Sequence, residues 1–147
     1  MVLPKHMRLK GHRCFDYIYR EGSRFYSPSM VLRVTKANKK IPVKGLNSQA
    51  RPSIKCAISI SNKVSKKSVI RNKLRRLFHH HLSLRLSNIE FDNDVWAFIS
   101  LKPSCMQNSN SSLLRECDKL LLKSGITKWQ LVPRKIFFTK VVLQAVI

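Results

Sequence analysis

The sequence predicts an α/β fold, a two-layer α-β sandwich whose elements run in the order α-β-β-α-β-α. Three observations lead to it. Ser29–Lys36 and Ile54–Ser61 alternate apolar and polar residues with the period of a half-buried strand. Three other segments, beginning near Lys10, Ser68 and Leu113, repeat apolar residues at the spacing of a helix face. The chain has 147 residues, 44% of them hydrophobic, which suits one domain with a modest core and argues against wholesale disorder.

Along the chain, Lys10–Arg20 reads as a short helix, because Phe15, Ile18 and Tyr19 recur at i, i+3, i+4 and Gly22 stands where a helix closes. Ser29–Lys36 follows as a strand, with Met30, Leu32 and Val34 on one face and Arg33 on the other. The segment 39–52 holds two prolines and a glycine and reads as a loop longer than a hairpin needs. In Ile54–Ser61, Ile54, Cys56, Ile58 and Ile60 share one face while Lys55, Ala57 and Ser59 take the other. A polar basic turn, Asn62–Lys67, leads into a helix over Ser68–Leu84. Its buried stripe is expected at Ile70, Leu74, Leu77 and His81, with Arg71, Asn72, Arg75 and Arg76 on the far side.

After a loop holding Glu90, Asp92 and Asp94, Val95–Leu101 reads as a third strand, stopped by Pro103. The Asn-Ser run 108–112 caps a last helix with Leu113, Cys117, Leu120 and Leu121 as its stripe and Gly125 as its close. One domain is expected over 1–125. Residues 126–147 are expected to form a C-terminal extension whose apolar groups could add a strand, pack on the domain or stay exposed.

Charge narrows the function classes. Lys and Arg number 29 against 7 Asp and Glu, a net charge of +22 with a pI near 10.7. Between Glu21 and Glu90 there are 68 residues with no acid and sixteen Lys or Arg. A solvated face normally mixes signs, so this interval asks for a polyanion. Nucleic acid leads, and an anionic membrane surface is the competitor. No run approaches the roughly 20 apolar residues that span a bilayer, and MVLPKHMRLKGHR lacks the apolar segment of a secretory signal. The four cysteines, Cys14, Cys56, Cys105 and Cys117, show no CxxC spacing and read as reduced thiols of a cytoplasmic protein.

Catalysis by the protein's own side chains is not expected. None of the seven carboxylates forms a helical i, i+3 pair with a histidine, and Glu116 and Asp118, two apart, point to different helix faces. No phosphate-binding glycine loop, nucleophile elbow or zinc-protease motif is present. His79, His80 and His81 diverge by about 100° per residue on a helix and cannot converge on one metal ion. The sequon Asn110-Ser111-Ser112 is more simply the helix cap already described.

The basic run is different. From Ser61 to Arg76 the chain reads SNKVSKKSVIRNKLRR, with seven Lys or Arg and no acid. Lys63, Lys66 and Lys67 precede a helix whose N-terminal amides attract phosphate, and Arg71, Arg75 and Arg76 extend donor forks along one side. This segment resembles the RNR signature of the bacterial ribonuclease P protein subunit, at Ser61, Lys63, Val64, Ser65, Lys66, Lys67, Arg71, Asn72, Lys73, Leu74, Arg75 and Arg76. The family's first-helix pattern is similar to Phe15, Ile18, Tyr19 and Gly22, and its strands to Cys56–Ser61 and Asp94–Leu101. The resemblance covers about residues 4–124.

The resemblance implies an endoribonuclease subunit that joins a catalytic RNA and promotes removal of the 5′ leader from precursor tRNA. Mg2+, held mainly by the RNA, would serve the hydrolysis, and neither DNA nor membrane would be a partner. It also implies a left-handed βαβ crossover, against the general right-handed preference. Lys63, Lys66, Lys67, Arg71, Asn72, Lys73, Arg75 and Arg76 would lie against the catalytic RNA. A cleft between the first helix and the sheet would grip the leader through Phe15, Tyr19, Arg33, Lys55 and Ser59.

Phe15 and Tyr19, one helical turn apart, offer stacking platforms for unpaired bases, the alternative being that both are core. The chain departs from the family at Arg33, where an aromatic residue is common, at Asn62 and at His79-His80, and in the long 39–52 loop. A structural RNA-binding protein of ribosomal type, or a basic membrane-surface protein, would share the charge.

Overall fold

Four strands realise the alternating segments: β1 (Ser23–Tyr26), β2 (Met30–Lys36), β3 (Ile54–Ser59) and β4 (Val95–Leu101). Three helices accompany them: α1 (His12–Glu21), α2 (Ser68–Leu86) and α3 (Asn110–Ser124). The structure, a computed structural model, describes residues 3–38, 40–41, 53–87, 89, 91 and 93–126. Most of the 39–52 loop and of the 126–147 extension therefore lies outside the described residues.

The strands form one sheet in the order β1-β2-β4-β3. β2 pairs antiparallel with β1 and with β4, whereas β3 runs parallel to β4. Parallel neighbours need a crossover, and α2 supplies it between β3 and β4. Residues of the N-terminal segment continue beyond β3: the Leu9 amide donates to the Cys56 carbonyl, and Arg8 bridges Cys56 in parallel.

Alternation in β4 decides which helix lies where. Ala97, Ile99 and Leu101 join the larger core with Leu74, Phe78, Leu82 and Leu86 of α2 and Leu113, Cys117, Leu120 and Leu121 of α3. Trp96 and Phe98 face the other way and pack with Cys14 and Ile18 of α1. The α/β sandwich stands as predicted, with two additions. β1 precedes the first expected strand, and α1 covers the opposite face of the sheet from α2 and α3. A four-residue strand between Gly22 and Pro28 is too short for its period to register in the sequence.

The buried stripe of α2 is Leu74, Phe78, His81, Leu82 and Leu86, so Phe78 replaces the expected Leu77 at its centre. Phe78 is fully buried, worth roughly 2–3 kcal/mol of apolar transfer. The predicted α3 stripe is the one observed, with the Ser109 hydroxyl capping the Ser112 amide and Gly125 closing the helix at φ 78°. Gly22 serves α1 differently. Its φ is ordinary, but a Cβ there would run into the Ile18 carbonyl.

Few acids are available, and three of them hold the fold together. Glu116 on α3 accepts from the Ser27 hydroxyl at 2.9 Å and from the Ser29 amide and hydroxyl, tying α3 to the β1–β2 turn. Asp118, two residues on, meets His81 of α2 at 2.7 Å and Arg85 at 3.5 Å. Asp94 accepts from the Ser53 amide, joining the starts of β3 and β4.

Candidate nucleic-acid interface

The basic turn and helix are organised from within. Ser61–Lys67 folds back through Val64, whose side chain is buried and whose amide donates to the Ser61 carbonyl. Arg71 reaches back to the Ser65 carbonyl at 2.8 Å, and Arg75 donates to Asn72 Oδ1 at 2.9 Å. Each guanidinium thus uses one donor locally and keeps the others for a ligand. Lys63, Lys66, Lys67, Asn72, Lys73 and Arg76 are exposed, while Arg71 and Arg75 are partly buried. Lys67 precedes α2 as its N-cap residue without a side-chain cap, and the first turn holds no acid, leaving the amides and dipole open to an anion. One turn beyond Arg75, burial and then the nearby Arg75 and Arg8 charges hold the His79 pKa below its usual value. Phosphate close to this cluster would reverse that charge effect.

The second surface is the sheet face that carries α1, and it is built in rows across the strands. One row reads Ala57, Phe98, Arg33, Arg24, and the next reads Ser59, Ser100, Val31, Tyr26, in the order β3, β4, β2, β1. α1 lays Phe15 and Tyr19 against Phe98, with ring centres 5.4 Å and 5.6 Å away. The Arg33 guanidinium lies over the Tyr19 ring at 4.3 Å and approaches the Ser100 hydroxyl at 3.5 Å. Tyr19 remains 45% exposed while Phe15 is partly buried. Of the two rings, therefore, Tyr19 is the more exposed, and both lean on Phe98.

The structure brings Phe15, Tyr19 and Arg33 into one cluster and sets Ser59 one row away. Lys55 sits at the other end of the same face, opposite Trp96, with its ammonium donating to the His6 carbonyl at 2.9 Å. Ser59 ends β3 just before the turn that carries Lys63, so chain continuity joins the two surfaces. A cavity of about 750 Å³ opens on the outer flank of α1 among Arg13, Asp16, Arg20 and Lys40, and it meets the cleft at Tyr19.

A family model for ribonuclease P matches residues 3–125. The chain belongs to the ribonuclease P protein family. It is 81% identical over 128 residues to the ribonuclease P protein component of Prochlorococcus marinus (strain NATL2A), covering 87% of this chain and all of that one. It is 47% identical to the ribonuclease P protein component of Synechococcus sp. (strain WH7803), covering 86% and 98%. Among solved structures, the fold matches the RNase P protein of Staphylococcus aureus with a TM-score of 0.64 at 19% identity, over 80% of this chain and 94% of that one. It also matches the RNase P protein of Thermotoga maritima with a TM-score of 0.59 at 18% identity, covering 78% and 94%.

Phe98, the shared support of both α1 rings, was not singled out by sequence reasoning. Neither were Arg24 and Tyr26, which β1 adds to the same face. The signal for Phe98 was present in the alternation of Val95–Leu101, but alternation does not say which face meets α1. Among the described residues no three His, Cys, Asp or Glu side chains converge as a metal would require. Mg2+ favours carboxylate oxygens, and Asp94, Glu116 and Asp118 are already engaged in the contacts above, so these residues do not fit a magnesium site. Burial pushes the Cys56 thiol up to about 12 and raises Cys14, Cys105 and Cys117, which keeps these thiols protonated and unreactive. No helix among the described residues is long and apolar enough to cross a membrane.

Proposed function

We propose that this chain is the protein subunit of a ribonuclease P holoenzyme, docking on the catalytic RNA and gripping the 5′ leader of precursor tRNA. The observation that carries the reading is the cluster of Arg33 over the Tyr19 ring with Phe98 beside it, in a chain whose 68 residues between Glu21 and Glu90 hold no acid. The work divides between two surfaces. Lys63, Lys66 and Lys67, the amides of α2, and Arg71, Lys73, Arg75 and Arg76 neutralise phosphates of the catalytic RNA, while Asn72 is oriented by Arg75. Phe15, Tyr19, Arg33 and Ser59 meet an unpaired strand by stacking, charge and hydroxyl contact, and Lys55 adds charge at the far end of the face.

Sequence-tolerant contacts of this kind suit a subunit that must serve many precursors in the cytoplasm. Hydrolysis of the phosphodiester belongs to the RNA, with Mg2+ held there. The protein's part is to lower charge repulsion and to position substrate. In the reconstituted holoenzyme, Tyr19→Ala is expected to weaken precursor tRNA by about tenfold or more, the scale of one base stack, and to leave mature tRNA unchanged. Phe15→Ala should act in the same direction by freeing the Phe98 ring that Tyr19 also packs on. Equal loss for precursor and mature tRNA would sink the leader-cleft assignment.

A further inference from the structure

β1 carries two side chains that the basic helix and the α1 cluster do not account for. Phe25 and its partner Leu32 face the larger core, so Arg24 and Tyr26 project from the opposite face, the one that carries α1. The register sets Arg24 directly opposite Arg33 and Tyr26 opposite Val31. Directly opposed like charges on an antiparallel pair are destabilising, since their Cβ atoms lie about 4.5–5.5 Å apart. No acid relieves this pair: among the described residues the ion pairs engage His81, Arg85 and Asp118.

Arg33 does not swing away to relax the repulsion. It is held on the Tyr19 ring, its Nη1 has one long contact to Ser100, and its Nε is buried with no hydrogen-bond partner. Arg24 is exposed, and Tyr26 is 58% exposed with Lys102 Nζ 5.9 Å from its ring centre. The strip Tyr19, Arg33, Arg24, Tyr26 therefore runs from α1 to the edge strand of the sheet, with a ring at each end and the two opposed arginines between them. A lone charge on an edge strand can serve simply to block edge-to-edge pairing. That role does not ask for a second arginine opposite it or an exposed ring beside it.

We propose that this strip is a binding site for single-stranded RNA, in which one phosphodiester of the leader bridges Arg24 and Arg33 and the next base stacks on Tyr26. The inference rests on the leader-cleft reading and extends that track across β2 to β1. An anion between two guanidinium forks turns their repulsion into two charge-assisted contacts. A ring on an edge strand accepts any base.

The test uses the holoenzyme reconstituted from the full chain and a catalytic RNA, with precursors whose leaders are shortened one nucleotide at a time. Arg24→Ala and Tyr26→Ala should each weaken long-leader precursors by about tenfold, the scale of a single charged hydrogen bond or base stack. The loss should vanish once the leader is too short to reach β1. Arg24→Lys should recover most of the affinity, and a neutral methylphosphonate at the bridged linkage should make the native chain and Arg24→Ala bind alike. The proposal is overturned by no loss, by a loss that is the same at every leader length, or by weaker binding of the catalytic RNA, which would assign the strip to that RNA. Failure of the cleft reading looks different: the native holoenzyme itself would not discriminate precursor from mature tRNA.

Discussion

Glu116 and Asp118 show where the scarce acids of a +22 chain are placed. Their spacing already said that they face different ways, and each proves to be a tie. Glu116 satisfies Ser29, whose residue is fully buried, through both the amide and the hydroxyl. Glu116→Ala would leave those donors short of a partner, at a cost of about 1–3 kcal/mol. Thermal or denaturant unfolding should register that loss, and unchanged stability would show that water replaces the carboxylate without cost. What stayed hidden in the sequence was the partner of each side chain. A helix turns 100° per residue, so Leu77 and Phe78, both apolar, are separated by a phase that only the packed sheet could decide. The same limit applies to Tyr19, whose spacing suggested a platform while the Arg33 guanidinium over it was not legible.

At the scale of elements, the basic turn and α2 were the most readable part of the chain. Composition, charge and period all pointed to a basic amphipathic helix there. β1 was the least readable, because four residues hold only two of each face and Gly22 and Pro28 bracket them as punctuation. Its absence from the sequence reading hid Arg24 and Tyr26 from the candidate site. α2 itself makes a prediction that separates docking from folding. Arg71→Ala with Arg75→Ala should weaken binding to the catalytic RNA strongly and flatten the salt dependence by about 1–2 in log-log slope. Arg71 also braces the turn through Ser65, so circular dichroism of the double variant should remain that of the native fold. Unchanged affinity and slope across a salt series would contradict the assignment of this helix as the dock.

At the scale of the molecule, the fold explains how one small domain can keep the two proposed RNA surfaces apart. The sheet carries the larger core and α2 and α3 on one face, and α1 with its cleft on the other. The strand that ends at Ser59 feeds directly into the basic turn, so the two surfaces meet at one corner. The α/β class and the family were legible from periodicity and from the Ser61–Arg76 run. The division of helices between the two faces was not, since it depends on which side of β4 each helix crosses.

The central claim is tested by reconstituting the full chain with a bacterial ribonuclease P RNA at low magnesium and following release of the 5′ leader from precursor tRNA. The protein should stimulate cleavage at the mature 5′ end under conditions where the RNA alone is slow. RNA binding with no stimulation would contradict it and would favour a structural RNA-binding role.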